Sequence, residues 1–206
     1  MRYKVSSLLI IFMLVLFACK KNITLIRLVY TQDFEKGIPP EMMAYSADGR
    51  TFGPFVRSFN GTNIAGAFNN SMLRVQLMDL PEHNMIRVSF DLYIHDRWSG
   101  DNWNIRVNGE NQLVTSFSNT AGVGQAYPEW VGIARNVPAR GNATDTLING
   151  FCLWESKSNG SSLYKVVFSR PHKPKDLLLQ LDDASGGSPC QNSWSIDNLR
   201  IETIVN

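Results

Sequence analysis

From Ile86 to Ile94 the chain alternates without a slip: Ile86, Val88, Phe90, Leu92 and Ile94 point one way, and Arg87, Ser89, Asp91 and Tyr93 the other. A period of two places apolar side chains on one face of a strand and has no helical equivalent. The same rhythm recurs in Met72–Leu77, with Leu73, Val75 and Leu77 on one face, and in Trp103–Val107, which stops at the turn dipeptide Asn108-Gly109. Gln112–Phe117, Leu163–Phe168, Leu177–Leu181 and Ile196–Ile201 continue it, with further strands expected at Ile23–Tyr30 and Ile64–Phe68. Strands broken by Gly, Pro, Asn and Ser, with no apolar helical stripe longer than two turns, predict an all-β antiparallel sandwich or barrel. The Gly- and Pro-containing stretch from Thr120 to Gly150 breaks the rhythm and is expected to be a long crossover loop folded onto the sandwich.

The first residues read differently. Arg2 and Lys4 precede an unbroken apolar run, Leu8–Phe17, that is only half the roughly 20 residues a membrane-spanning helix needs. The run ends in Leu16-Phe17-Ala18-Cys19, which resembles the lipobox of bacterial lipoproteins. That resemblance implies a signal peptide over 1–18, a diacylglyceryl group on Cys19, a tether over 19–22 and a single domain over 23–206; the alternatives are an uncleaved signal anchor or an ordinary secretory signal in which Cys19 is incidental. It places the chain in the bacterial cell envelope, outside the cytoplasm, on the membrane through its lipid. An oxidising compartment favours a disulfide between the two remaining cysteines, Cys152 and Cys190, with two buried free thiols as the alternative.

Charge excludes other classes. The 206 residues carry 20 Lys+Arg against 18 Asp+Glu, and the surplus is Arg2 and Lys4. A neutral body gives nothing to neutralise phosphates, so no nucleic-acid partner is expected. No nucleophile elbow, phosphate loop, dinucleotide fingerprint or zinc-protease helix is present, and the three histidines (His83, His95 and His172) are scattered along the chain. The sequence favours a binding module over an enzyme.

Three segments carry a further resemblance. Asp33-Phe34-Glu35-Lys36-Gly37 opens the domain, Leu80–Gly100 crosses its middle with a pattern close to LPxHxxVxVSFDLxIxDxWxG, and Asn192–Ile201 closes it in the manner of ESWGLDNVRV. Together they resemble a lectin-like jelly-roll module of secreted bacterial proteins, and more distantly MAM domains and calcium-containing jelly-roll carbohydrate-binding modules. The resemblance implies a two-sheet jelly-roll β-sandwich. It also implies one structural calcium ion, held by Glu35 and Asp197 with Asp33 and Asn192 as lesser ligands; Asp197-Asn198 capping a strand turn is the alternative.

The segment Asp96–Trp103 joins two strands and is rich in Asp, Asn and Trp. Indole faces stack on sugar rings, and fixed carboxylates and amides bridge hydroxyls, so Trp98, Asp96 and Asp101, with Tyr127 and Trp130 from the long loop, are candidate ligand-binding residues. The alternative is that these aromatics close the end of the sandwich. The expected partner is carbohydrate, or else a protein of the envelope bound by a structural or adhesive surface.

Overall fold

The computed structural model describes residues 24–133, 136–152 and 159–206. The Cys19 lipidation site, the signal peptide and the tether lie outside the described residues. Among the described residues, thirteen strands pack as two antiparallel sheets. Sheet A runs β10 (Asp145–Ile148), β11 (Ser161–Pro171), β7 (Met85–Asp96), β13 (Asn192–Val205), β5 (Thr62–Phe68) and β4 (Val56–Phe59), with β1 (Leu25–Gln32) also paired to β13. Sheet B runs β3 (Thr51–Phe52), β2 (Met42–Ser46), β6 (Ser71–Leu77), β12 (Leu177–Asp183), β8 (Ser99–Val107) and β9 (Glu110–Ser118). Neighbours within each sheet are mostly distant in sequence, the crossing pattern of a jelly roll. Helical structure among the described residues is one 3-10 turn, Val131–Ile133.

The alternation explains the packing. Ile86, Val88, Phe90, Leu92 and Ile94 of β7 face Leu73 and Val75 of β6, Trp103, Ile105 and Val107 of β8, and Leu179 and Leu181 of β12 across one buried core. An aromatic chain crosses its centre: Phe68 lies 4.7 Å from Trp194, Trp194 5.7 Å from Trp103, and Trp103 6.0 Å from Phe117. Asp183 anchors this cluster, accepting from the Trp194 indole N–H at 2.8 Å and from the backbone N–H groups of Asn70 and Ser71. A buried carboxylate with this many donors is satisfied where it stands.

β13 contains the one break in its own parity. Trp194 and Ile196 face the core, then Leu199 and Ile201 do, because a bulge between Asp197 and Arg200 inserts a residue and Asn198 takes φ 53°. Asn tolerates that left-handed backbone better than most residues. The expected crossover loop differs from the structure in one respect: its end, Asp145–Ile148, is β10, an edge strand on β11. Gln125 and Val137 pair within the remainder, and the Gln125 side chain accepts from Ser118 N–H and donates to the Gly141 carbonyl. These bonds tie the loop to the end of sheet B. Cys152 and Cys190 form a disulfide with Cα atoms 5.3 Å apart, joining the connection after β10 to the one before β13.

Candidate functional site

The outer face of sheet B carries a groove of about 310 Å³. Its lining includes Tyr45, Met72, Arg74, Arg106 and Asp182, which belong to two cross-strand rows of four on that face. Tyr45, Met72, Asp182 and Asn104 are cross-strand neighbours in one row, and Met43, Arg74, Gln180 and Arg106 in the next. Each belongs to the outward set of its strand because its sequence neighbours, such as Ala44, Leu73, Leu181 and Ile105, fill the core.

The row geometry brings complementary groups together. Asp182 is buried; its Oδ1 accepts from Asn104 Nδ2 at 2.8 Å and from Arg106 Nη2 at 3.2 Å, while Oδ2 lies 3.0 Å from Arg106 Nη1. Burial, with the nearby charge of Asp183, raises the Asp182 carboxyl above its usual range against the opposing effects of Asn104 and Arg106. The Arg74 guanidinium sits 4.4 Å over the Tyr45 ring and has no carboxylate partner among the described residues. A Ser46–Asp48–Arg50 cluster, with Gly49 at φ 82°, closes the β2–β3 turn at the rim. The result is an aromatic ring, two guanidiniums, a carboxylate and two amides on four adjacent strands, held without loop freedom. Such a mixture offers both a ring surface and hydrogen bonds in opposed directions to a polyhydroxylated ligand.

The residues expected in the ligand site are placed elsewhere. Trp98 is fully buried, donates its indole N–H to the Ser193 carbonyl at 2.8 Å and packs on Phe117. It therefore presents no stacking face, a correction to the sequence expectation. Asp96 is likewise buried, accepting from Phe151 N–H at 3.1 Å. Tyr127 stacks on Phe117 at 4.9 Å and meets Tyr164 at 5.2 Å, so it closes the end of the core; burial raises its hydroxyl pKa. Trp130 is 38% exposed. Asp101 caps Ser99 N–H at 2.9 Å and lines an open polar depression with Arg97, Thr120, Gln191 and Asn192, which has no aromatic wall. An aromatic ring and charged and polar groups occur together on the outer face of sheet B, at Tyr45, Arg74, Arg106 and Asp182.

The expected calcium ligands divide. Glu35 Oε1 accepts from Thr62 Oγ1 at 2.7 Å and from Asn63 N–H at 2.9 Å, and Thr62 Oγ1 is also 3.3 Å from Asp197 Oδ2. The two carboxylates thus approach one hydroxyl. The Asn63 amide and Thr62 hold the Glu35 carboxyl below its usual range, while burial, then the charges of Asp91 and Glu35, push Asp197 up to about 6. Asp33 is turned into its own loop, accepting from Glu35 N–H at 3.2 Å. Asn192 is the first residue of β13, beside Asp96 and bonded by Asn69, away from Glu35 and Asp197. The four do not form one ligand set, and among the described residues no group of three or more His, Cys, Asp or Glu is placed to hold a metal.

A second polar constellation was invisible in the sequence. His95, Ser161 and Ser195 are fully buried on neighbouring strands of sheet A. Ser161 Oγ donates to the Asn149 carbonyl, so it accepts from His95 Nδ1–H at 2.8 Å, which leaves His95 Nε2 to accept from Ser195 Oγ at 2.9 Å. Burial drives the imidazole pKa down to about 3. The arrangement orders a nucleophile-like hydroxyl against a base, but no substrate reaches a residue with no exposed surface. It is a structural network.

No family model matches the chain, and no curated protein matches it. Solved structures with a similar course include dimeric latent PorU from Porphyromonas gingivalis, with TM-score 0.47 and 11% identity over 92% of this chain. The chain spans only 14% of PorU. The K3 cleaved adhesin domain of Lys-gingipain from Porphyromonas gingivalis superposes with TM-score 0.44 and 15% identity, covering 85% of this chain and 99% of that domain. A family 35 carbohydrate-binding module from Clostridium thermocellum does so with TM-score 0.40 and 9% identity, covering 84% and 95%.

Proposed function

We propose that the protein is a non-catalytic carbohydrate-binding module whose ligand lies in the groove on the outer face of sheet B. The observation that carries this reading is the two-row constellation of Tyr45, Arg74, Gln180, Arg106, Asp182 and Asn104. Tyr45 supplies ring surface, Asp182 and the amides accept or donate to hydroxyls, and Arg106 orients the Asp182 carboxylate. Rigid strands place these groups before the ligand arrives, which lowers the ordering cost of binding. A glycan array probed with the purified protein tests the class of ligand. Retention of one or more glycans supports the reading. A blank array beside capture of an envelope protein would favour the adhesive alternative.

The module works outside the cytoplasm, tethered through a lipid on Cys19. The Cys152–Cys190 disulfide supports an oxidising compartment. Cys19→Ser is expected to leave the precursor unprocessed and to release the domain from lipoprotein handling; an unchanged mass and membrane fraction would refute the lipid anchor.

One structural calcium ion belongs to the same proposal, at Glu35 and Asp197. Its support is the approach of both carboxylates to Thr62 and the crowding of negative charge around Asp197. Two carboxylates and a hydroxyl supply part of the six to eight oxygens calcium takes, with water the remainder. When bound, the ion would join the loop after β1 to β13.

A further inference from the structure

Two of the histidines that lie far apart in sequence meet at the end of the sandwich remote from the disulfide. His83, in the β6–β7 connection, and His172, just after β11, meet edge to edge with nearly parallel rings, centroids 5.1 Å apart and His83 Nε2 2.7 Å from His172 Nδ1. Both are buried. Their outer nitrogens fix the protons. His83 Nδ1 is 2.6 Å from the Pro81 carbonyl, which can only accept, so Nδ1 carries the hydrogen and Nε2 its lone pair. His172 Nε2 is 3.1 Å from Asn108 Nδ2. The Asn108 amide cannot be reversed, because its Oδ1 accepts from Leu178 N–H at 2.7 Å and its Nδ2 also reaches the Asp176 carbonyl. His172 Nε2 is therefore an acceptor, and its Nδ1–H donates to His83. Every nitrogen of the pair is satisfied only when both rings are neutral.

A proton has no good place to go. On His83 Nε2 it would face the Nδ1–H of His172. Moving the His172 hydrogen to Nε2 would then set it against the Asn108 NH₂, and turning that amide would break the bond to Leu178. We propose that the His83–His172 pair is an acid-sensitive latch, which closes the β6–β7, β8–β9 and β11–β12 connections at neutral pH and opens when either ring is protonated. Three further bonds sit on the same junction: His172 N–H to the Asn84 carbonyl, Leu80 N–H to that of Lys175, and Asn108 N–H to that of Leu178.

The charges around the latch do not rescue a protonated ring. Arg170 comes from β11, Lys173, Lys175 and Asp176 from the loop between β11 and β12, Asp79 and Glu82 from the β6–β7 connection, and Glu110 from β9. Glu110 is already paired with Arg170 at 2.7 Å, and Asp79 N–H and Asp176 Oδ1 make a long contact at 3.4 Å. Burial, then the charges of His83 and Arg170, lower the pKa of His172. An unfolded histidine titrates near 6.5, so between that value and the lower folded one the unfolded chain binds more protons, and stability falls as pH drops. The latch contributes its full stability above pH 6.5 and loses it progressively as pH falls towards the lowered folded value, where the ring itself takes up the proton.

The test compares thermal melting at pH 7.5 and pH 5 for the wild type, His172→Gln and Asn108→Asp, with imidazole nitrogen NMR of the wild type. Asn108→Asp keeps an acceptor for Leu178 and gives His172 Nε2–H a carboxylate, so it tolerates the protonated ring. The wild type is expected to lose about 2–4 °C more than either variant on acidification, with Nδ1–H found on both rings at pH 7.5. Equal losses in all three proteins would overturn the proposal. So would an Nε2–H tautomer on either wild-type ring at pH 7.5, a result that needs no variant to fold.

Discussion

The guanidinium of Arg74 lies 4.4 Å over the ring of Tyr45, on the strand next to it. Arg74 covers one face of the ring and holds it in place, while its own charge meets no carboxylate among the described residues. A stacking or cation–π contact of this kind is worth on the order of 1–2 kcal/mol. Tyr45→Ala is expected to weaken glycan binding about tenfold and, because it also removes the contact with Arg74, to lower the melting temperature by about 2–4 °C. Calorimetric titration of the best array ligand, with melting curves alongside, checks both halves of that statement.

Trp98→Ala has the reverse signature. The side chain is fully buried against Phe117 and holds Ser193 through its indole N–H. Truncating a buried Trp costs about 3–5 kcal/mol, from lost packing and the cavity left behind. Denaturant unfolding should show that loss, with the glycan affinity of the remaining folded protein unaltered.

Asp197 makes stability depend on pH in the direction opposite to the histidine latch. Its folded pKa is raised to about 6 from the ordinary 3.8. The folded state therefore binds the extra proton between these values, and stability contributed below pH 3.8 is lost as pH rises through 6. Asp197→Asn removes that loss, so the variant should melt no lower than the wild type at pH 7 without added cation and show a flatter profile from pH 4 to 6. Millimolar calcium should raise the wild-type melting temperature by mass action and leave Asp197→Asn unmoved. Equal melting of the wild type in EDTA and in calcium would remove the ion from the account.

The Cys152–Cys190 bond spans a sequence separation of 38 residues. Closing a loop of that order restricts the unfolded chain by about 2–4 kcal/mol. The Cys152→Ala, Cys190→Ala double variant should lose this amount in urea unfolding while keeping its glycan affinity, because the bond lies away from the sheet B groove.

The alternation in β6, β7, β8 and β12 made the core and the fold class legible, since period two survives wherever one strand face is buried and the other is wet. β2 escaped because Met42 and Ala44 face inward while Met43 and Tyr45 face outward, so both faces are apolar and the period is hidden. That strand carries the groove's aromatic residue. Arg74 and Arg106 stood in recognised strands and Asp182 just past the end of one, but these strands become neighbours only through the crossing order β2-β6-β12-β8. Trp98 misled for a related reason: a polar segment between strands suggests a surface loop, whereas β7 and β8 are separated by only two residues and the Trp is drawn under the sheet end. Likewise His83 and His172 are 89 residues apart, and only the folded register brings them together.

The most direct test of the central claim is an amide and side-chain NMR titration of the wild type with the best array glycan. The account expects the largest shifts at Tyr45, Arg74, Asn104, Arg106, Gln180 and Asp182, with Trp98 and Asp101 little changed, and expects Tyr45→Ala to need about tenfold more ligand to reach the same saturation. Saturable shifts concentrated around Asp101, Gln191 and Trp130, with the sheet B rows unmoved, would contradict it.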